Sequence, residues 1–187
     1  MMEIFKKGRK EMLKSLIQTS LIVATVTLMG CAAPPANKVK LSHVFDPKEA
    51  AQALLSGNNT IKGSALIKRM NGTIVTCAGN TVMLLPGTAY QAERMAAIYG
   101  NSESGYKSIW SNKRLVFEDQ PADYATFSKK TVCDALGFFK FEGLADGQYY
   151  VYTDVYWKVE KYTTEGGSLF SAFNVKNGQT QEKTLAP

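Results

Sequence analysis

The segment Gly137–Val159, GFFKFEGLADGQYYVYTDVYWKV, constrains the fold more than any other part of the chain. Large side chains recur at every second position: Phe139 and Phe141, then Tyr149, Val151, Thr153, Val155, Trp157 and Val159. A period of two is that of a strand with one face toward a core. Leu136-Gly137 and Asp146-Gly147 mark tight turns, where glycine takes backbone angles that would strain other residues. Burying each of these large side chains contributes about 1.5–3 kcal/mol. The stretch is therefore expected to brace a β-fold rather than to carry chemistry.

Other segments carry the same signal. Ile61, Gly63, Ala65 and Ile67 alternate in TIKGSALIKR, and Asn71-Gly72 supplies the positive φ angles of a hairpin. TIVTC is the return strand and NTVMLLP a third, stopped at Pro86-Gly87. KTVCD precedes the segment above, and LFSAFNVKNGQTQEKTLAP follows it with one or two strands turning at Asn177-Gly178. Several short strands with glycine-rich turns predict a β-sandwich. Two helices interrupt the pattern. FDPKEAAQALLSGNNT predicts one of about ten residues, with Asp46 capping Glu49, Pro47 in the first turn and Gly57-Asn58 at the end. YQAERMAAIYG predicts another, ended by Gly100, inside an insertion over residues 86–129. Within 101–128 only RLVFE looks like a strand, and the rest is expected to be ordered loop.

Gly137, Phe139, Phe141, Leu144, Gly147, Tyr149 and Val151 together form Gly-x-Phe-x-Phe-x-x-Leu-x-x-Gly-x-Tyr-x-Val. This resembles the signature of carboxypeptidase regulatory-like domains. The opening IKGSALIKRMNGTIVTCAGNTVMLLP is similar to that family's first strands and hairpin. The resemblance spans roughly residues 60–85 and 130–185. It implies a mainly β, seven-stranded transthyretin-like (prealbumin-like) sandwich over residues 60–187; the short helix read above from its capping residues occupies 46–59. It says almost nothing about function.

The N-terminus carries an address. Lys6, Lys7, Arg9, Lys10 and Lys14 precede an apolar run from Leu16 to Met29. That run is shorter than the roughly 20 residues a spanning helix needs, which marks residues 1–30 as a signal peptide. Met12 is an alternative start to Met1. LMGC, Leu28 to Cys31, resembles the bacterial lipobox. The resemblance implies cleavage after Gly30 and lipidation of Cys31 with diacylglyceryl and an N-acyl chain such as palmitate, and acyl chains in that number hold a protein stably on a membrane. Ala32 stands where Asp would favour the inner membrane, so the expected location is the outer membrane, facing the periplasm. Residues 31–45 are expected to be a tether, stiff at Pro34-Pro35.

Cys77 and Cys133 remain, an even pair in an exported domain and therefore an expected disulfide. The formal charge of +6 does not predict nucleic-acid binding. About half of the surplus belongs to residues 1–30, and the rest forms no basic block. The single histidine, His43, cannot furnish the ligand sets of the zinc carboxypeptidases, the transthyretin-like hydrolases or the iron dioxygenases. Tyr152 and Thr153 occupy the place where isopeptide-forming sandwiches carry an acid. Glu142 and Asp154 are isolated acids. No catalytic residue, metal or cofactor is predicted.

One candidate binding face stands out. Tyr150, Tyr152, Tyr156 and Tyr162 lie opposite the core side of their strand, and a bare row of aromatic rings would suit a sugar or a protein. The competing arrangement covers them with Tyr106, Trp110 or Phe127 of the insertion. The expectation is a non-catalytic envelope lipoprotein that binds a protein or cell-wall glycan. The alternative, a hydrolase built on residues 86–129, would need a cleft with paired, pKa-shifted groups, and the sequence offers no such pair.

Overall fold

The computed structural model describes residues 36–111, 114–161 and 163–187. The elements run β1 (Asn37–Val39), α1 (Pro47–Ala53), β2 (Ser56–Lys68), β3 (Ile74–Thr76), β4 (Thr81–Pro86), α2 (Ala89–Tyr99), β5 (Ser104–Ser108) and β6 (Leu115–Phe117). A 3-10 turn at Tyr124–Thr126 leads to β7 (Lys129–Val132), β8 (Phe138–Leu144), β9 (Gly147–Lys158), β10 (Thr164–Val175) and β11 (Thr180–Leu185).

Two open sheets carry the fold. The first is antiparallel and five-stranded, in the order β5-β10-β9-β4-β7. The second has β2 at its centre, paired in parallel with β11 and antiparallel with β3 and β8. The main core draws on both. Ile61, Ala65, Phe139, Phe141 and Leu185 come from the second sheet, and Leu84, Tyr149, Val151, Leu169 and Phe173 from the first. The alternation in β2 and β9 is thus realised: Ile61, Val151 and Val155 are wholly buried and Thr153 nearly so. It fades at the end of β9, where Trp157 is half-buried under the Arg69 guanidinium (5.3 Å to its ring) and Val159, past the last paired residue, is exposed.

The fold is mainly β with open facing sheets, as expected, but among the described residues the two sheets hold nine strands rather than seven. One addition, β5, comes from the insertion and extends the first sheet beyond β10. The insertion also supplies β6, the expected RLVFE strand, which pairs in parallel with β1.

The expected tether boundary at residue 45 is corrected. Asn37–Val39 is a strand, and Phe45 is buried edge-on against Tyr90, Tyr124 and Phe127. Cys31, and with it the lipidation expectation, lies outside the described residues.

The first helix is also shorter than expected. It ends at Ala53 with Leu54 as C-cap, and Asp46 accepts from the Lys48 N–H rather than that of Glu49. Gly57 and Asn58 do not stop the helix; they open β2. Glycine is needed at 57 because a Cβ there would sit 2.3 Å from the Leu144 carbonyl oxygen. Asn59 follows, fully buried and fully bonded. Its Nδ2 donates to the Leu144 carbonyl (3.0 Å) and to Asp146 Oδ1 (2.8 Å), and its Oδ1 accepts from the Gln179 N–H (2.9 Å).

Helix α2 forms where expected. Thr88 caps it by accepting from the Gln91 N–H, and Gly100 ends it at φ 90°. At the hairpin after β2 only Gly72 takes a positive φ, whereas at Asn177-Gly178 both residues do.

Cys77 and Cys133 sit at disulfide distance, their Cα atoms 5.8 Å apart. Cys77 follows β3 of the second sheet and Cys133 follows β7 of the first, so this pair ties the sheets together at one end.

Candidate functional site

Helix α2 lies on the outer face of the first sheet, which explains the fate of the tyrosine row. Tyr150 is buried in a second apolar cluster with Leu85, Met95, Phe170 and Ala172. Tyr152 packs at the margin of that cluster, Tyr156 is exposed, and Tyr162 lies outside the described residues. The four tyrosines therefore do not form one bare face. The insertion covers Tyr150 and part of Tyr152, but through Ala92, Met95, Ile98 and Tyr99 of α2 rather than through Tyr106, Trp110 or Phe127. Tyr106 packs toward the main core, Trp110 is exposed, and Phe127 joins Phe45 and Tyr90 in a third cluster. Glu142 is an exposed partner of Lys140.

Beside the covered part, the sheet face stays open as a groove of about 280 Å³. Strand register builds its floor. Ser168 of β10 faces Lys107 of β5 on one side and Asp154 of β9 on the other, so the three side chains form a row across three strands. Two strand spacings, roughly 10 Å, separate the Lys and Asp backbones, and no ion pair joins their side chains. Asn80 fixes the Asp154 backbone by donating from Nδ2 to its carbonyl at 2.8 Å.

The walls are aromatic. Tyr152 lies one pleat along from Asp154, Tyr99 comes from the last turn of α2, and Tyr124 from the 3-10 turn. The Tyr99 hydroxyl meets Ser168 Oγ at 2.9 Å, and burial pushes its pKa up to about 12. Tyr124 donates to Gln91 Oε1, and burial pushes its pKa to about 12 as well. Burial raises Tyr152 too, with a smaller upward push from the charge of Asp154. The Asp154 carboxyl is itself raised by desolvation. At neutral pH the phenols are thus protonated, and Asp154 sits in a partly dry setting.

Arg94 stands between this groove and an adjoining space of about 480 Å³, bordered by Leu115–Phe117 of β6 and by Gln120. Its guanidinium lies 3.9 Å from the Phe117 ring centre and 4.6 Å from that of Tyr124. Its Nη1 is shielded from water, and among the described residues it has no hydrogen-bond partner and no carboxylate pairs with it. Among the described residues, no group of three or more His, Cys, Asp or Glu could hold a metal ion.

The sequence pointed to one part of this site and missed the rest. Tyr152 belongs to the face expected from the sequence, and Asp154, an isolated acid there, shares its parity in β9. Arg94, Lys107, Tyr124 and Ser168 reach the groove from other elements through pairings that no local pattern displays.

Two facing open sheets, one capped on its outer side by a helix beside a polar-floored groove, define this chain as a β-sandwich protein with a helical cap. No family model matches the chain, and no curated protein matches it. Among solved structures, it is similar to a Pseudomonas aeruginosa protein described as a "putative carbohydrate binding protein". The likeness has a TM-score of 0.62 at 23% identity and covers 76% of this chain and 97% of that one. It shows a shared fold.

Proposed function

We propose that this chain is a non-catalytic lipoprotein of the cell envelope that binds a glycan in the groove between α2 and the first sheet. The observation that carries this reading is the floor row Lys107–Ser168–Asp154, set beside the rings of Tyr152, Tyr99 and Tyr124. Sugars offer apolar ring faces and a rim of hydroxyls. Aromatic walls accept the first, and alternating donors and acceptors satisfy the second. The description of the structural neighbour as a carbohydrate binder agrees with this choice over a protein ligand. The groove offers one carboxylate, Asp154, whereas glycoside hydrolysis in its common form needs two flanking the bond. The lipobox-like LMGC supports an anchor at Cys31, Ala32 after it supports the outer membrane, and the motif around Gly137–Val151 supports the transthyretin-like variety of sandwich.

Binding of the full-length protein, in detergent, to an array of envelope glycans tests the reading. The wild type should retain at least one saccharide class. Tyr152→Ala and Asp154→Asn should each weaken retention about tenfold, the scale of one lost hydrogen bond to a charged group or one lost ring contact. Tyr156→Ala, exposed and outside the groove, should leave it unchanged. A wild type that retains no glycan sinks the reading.

A further inference from the structure

The geometry points to a saccharide bearing a single negative charge, a carboxylate, with Arg94 as the residue that selects it. This inference rests on the glycan-binding reading and narrows it. The Arg94 guanidinium lies over two aromatic rings, Arg94 borders both the groove and its neighbouring space, and Nη1 has no hydrogen-bond partner among the described residues. A shielded N–H without a partner is unfavourable in the free protein, and a small shift of the side chain that opens it to a ligand oxygen would relieve that cost. Arginine carries five donors in a planar fork, matched to the two oxygens of a carboxylate. Contact with the Phe117 and Tyr124 rings restrains the side chain, so less of its freedom is lost on binding.

Charge balance selects the valence. Lys107 lies on the same side of the site as Arg94 and also lacks an ion-pair partner among the described residues, while Asp154 lies across the row. Two cations and one carboxylate leave one uncompensated positive charge. A uronic acid or a lactyl-ether sugar supplies one negative charge, whereas a phosphate monoester would bring nearly two toward Asp154. The neutral parts of the sugar would rest on Tyr152 and Tyr99, with hydroxyls at Ser168 and Asp154.

The test is isothermal titration of the full-length protein with matched pairs: galacturonate against its methyl ester, and N-acetylmuramic acid against N-acetylglucosamine. The two acids separate the two sources of a sugar carboxylate, and glucose 6-phosphate serves as the dianion. At least one acid should bind about tenfold tighter than its neutral partner, and the preference should shrink as salt rises from 20 to 300 mM, as it does for partly exposed charges. Arg94→Gln should bring the acid to the affinity of its neutral partner, and Arg94→Lys should recover only part of the preference. Lys107→Gln, on the edge strand, keeps the test informative if the Arg94 variants fold poorly, and it should reduce the same preference. Equal affinity within both pairs overturns the inference and leaves glycan binding standing. Tighter binding of the phosphate than of either acid also overturns it. Absence of binding by any saccharide overturns the inference and the glycan reading together.

Discussion

Glu93 shows how one side chain ties an N-terminal segment to the domain. Its carboxylate accepts from the backbone N–H groups of Ser42 (2.7 Å) and His43 (3.0 Å) and faces the His43 ring nitrogen at 3.0 Å. These bonds, the Ser42 backbone first, lower the Glu93 pKa from 4.5 to about 2. A carboxyl depressed in the folded state stabilises the fold fully above its unfolded value, and that contribution is lost as the pH falls through the folded one. The anchor of residues 42–43 on α2 should thus hold above about pH 4.5 and weaken steadily toward pH 2. Amide exchange, corrected for the intrinsic rate, should show protection of Ser42 and His43 disappearing over that window in the wild type. In Glu93→Gln, protection should be weak and independent of pH. Wild-type amides that exchange at one corrected rate from pH 2 to pH 6 would contradict this role. Asn59 makes a related point about what a sequence displays. Gly57-Asn58 looks like a helix stop, yet Asn59 just after it is a buried strap whose three bonds reach residues 144, 146 and 179. Nothing within ten positions of it announces those partners.

Among the elements, α2 links fold to function because it both seals part of the outer sheet face and leaves the groove open beside it. Met95 is its main apolar contact, 3% exposed among Leu85, Tyr150, Phe170 and Ala172. Met95→Ala should cost about 2 kcal/mol, the low end for a buried methionine because this cluster is smaller than the main core. Ala97→Ser, on the exposed side of the helix, should change stability by less than about 0.5 kcal/mol. Urea unfolding of both variants checks this, and a Met95→Ala midpoint equal to that of the wild type would mean that α2 is not part of the cooperative unit. This helix was legible in YQAERMAAIYG because its start, its helix formers and its terminal Gly100 all agree. The strands β1 (NKV) and β5 (SGYKS) were not legible. Neither alternates strongly, and each is a strand because the neighbouring backbone offers unpaired N–H and C=O groups that main-chain bonding satisfies. The groove was hidden for the same reason. Its floor row depends on the register among β5, β10 and β9, a non-local property.

Over the whole molecule, the two sheets are held by their shared apolar core and, at one end, by Cys77 and Cys133. A bond between them closes a loop of sequence separation 56. In the chain-entropy description this removes freedom from the unfolded chain and stabilises the fold by about 4 kcal/mol. The same corner also supports the groove. The turn after Cys77 carries Asn80, whose side chain holds the Asp154 carbonyl. That turn has its own backbone bonds: Asn80 N–H to the Cys77 carbonyl (2.7 Å), Gly79 N–H to the Cys133 carbonyl (3.0 Å) and Cys133 N–H to the Asn80 carbonyl (3.0 Å). These do not require the sulfurs to be joined, so stability and binding should separate. The Cys77→Ser, Cys133→Ser double variant should lose about 4 kcal/mol in urea unfolding. Well below its melting temperature, it should bind saccharide within about twofold of the wild type, since the bond acts on the unfolded chain rather than on the folded turn. Reductant should move the wild-type midpoint to that of the double variant and leave the variant's own midpoint where it is. A wild-type midpoint indifferent to reductant would show that the cysteines are not joined in solution. A large loss of affinity in a still-folded double variant would instead show that the bond itself shapes the turn that positions Asp154.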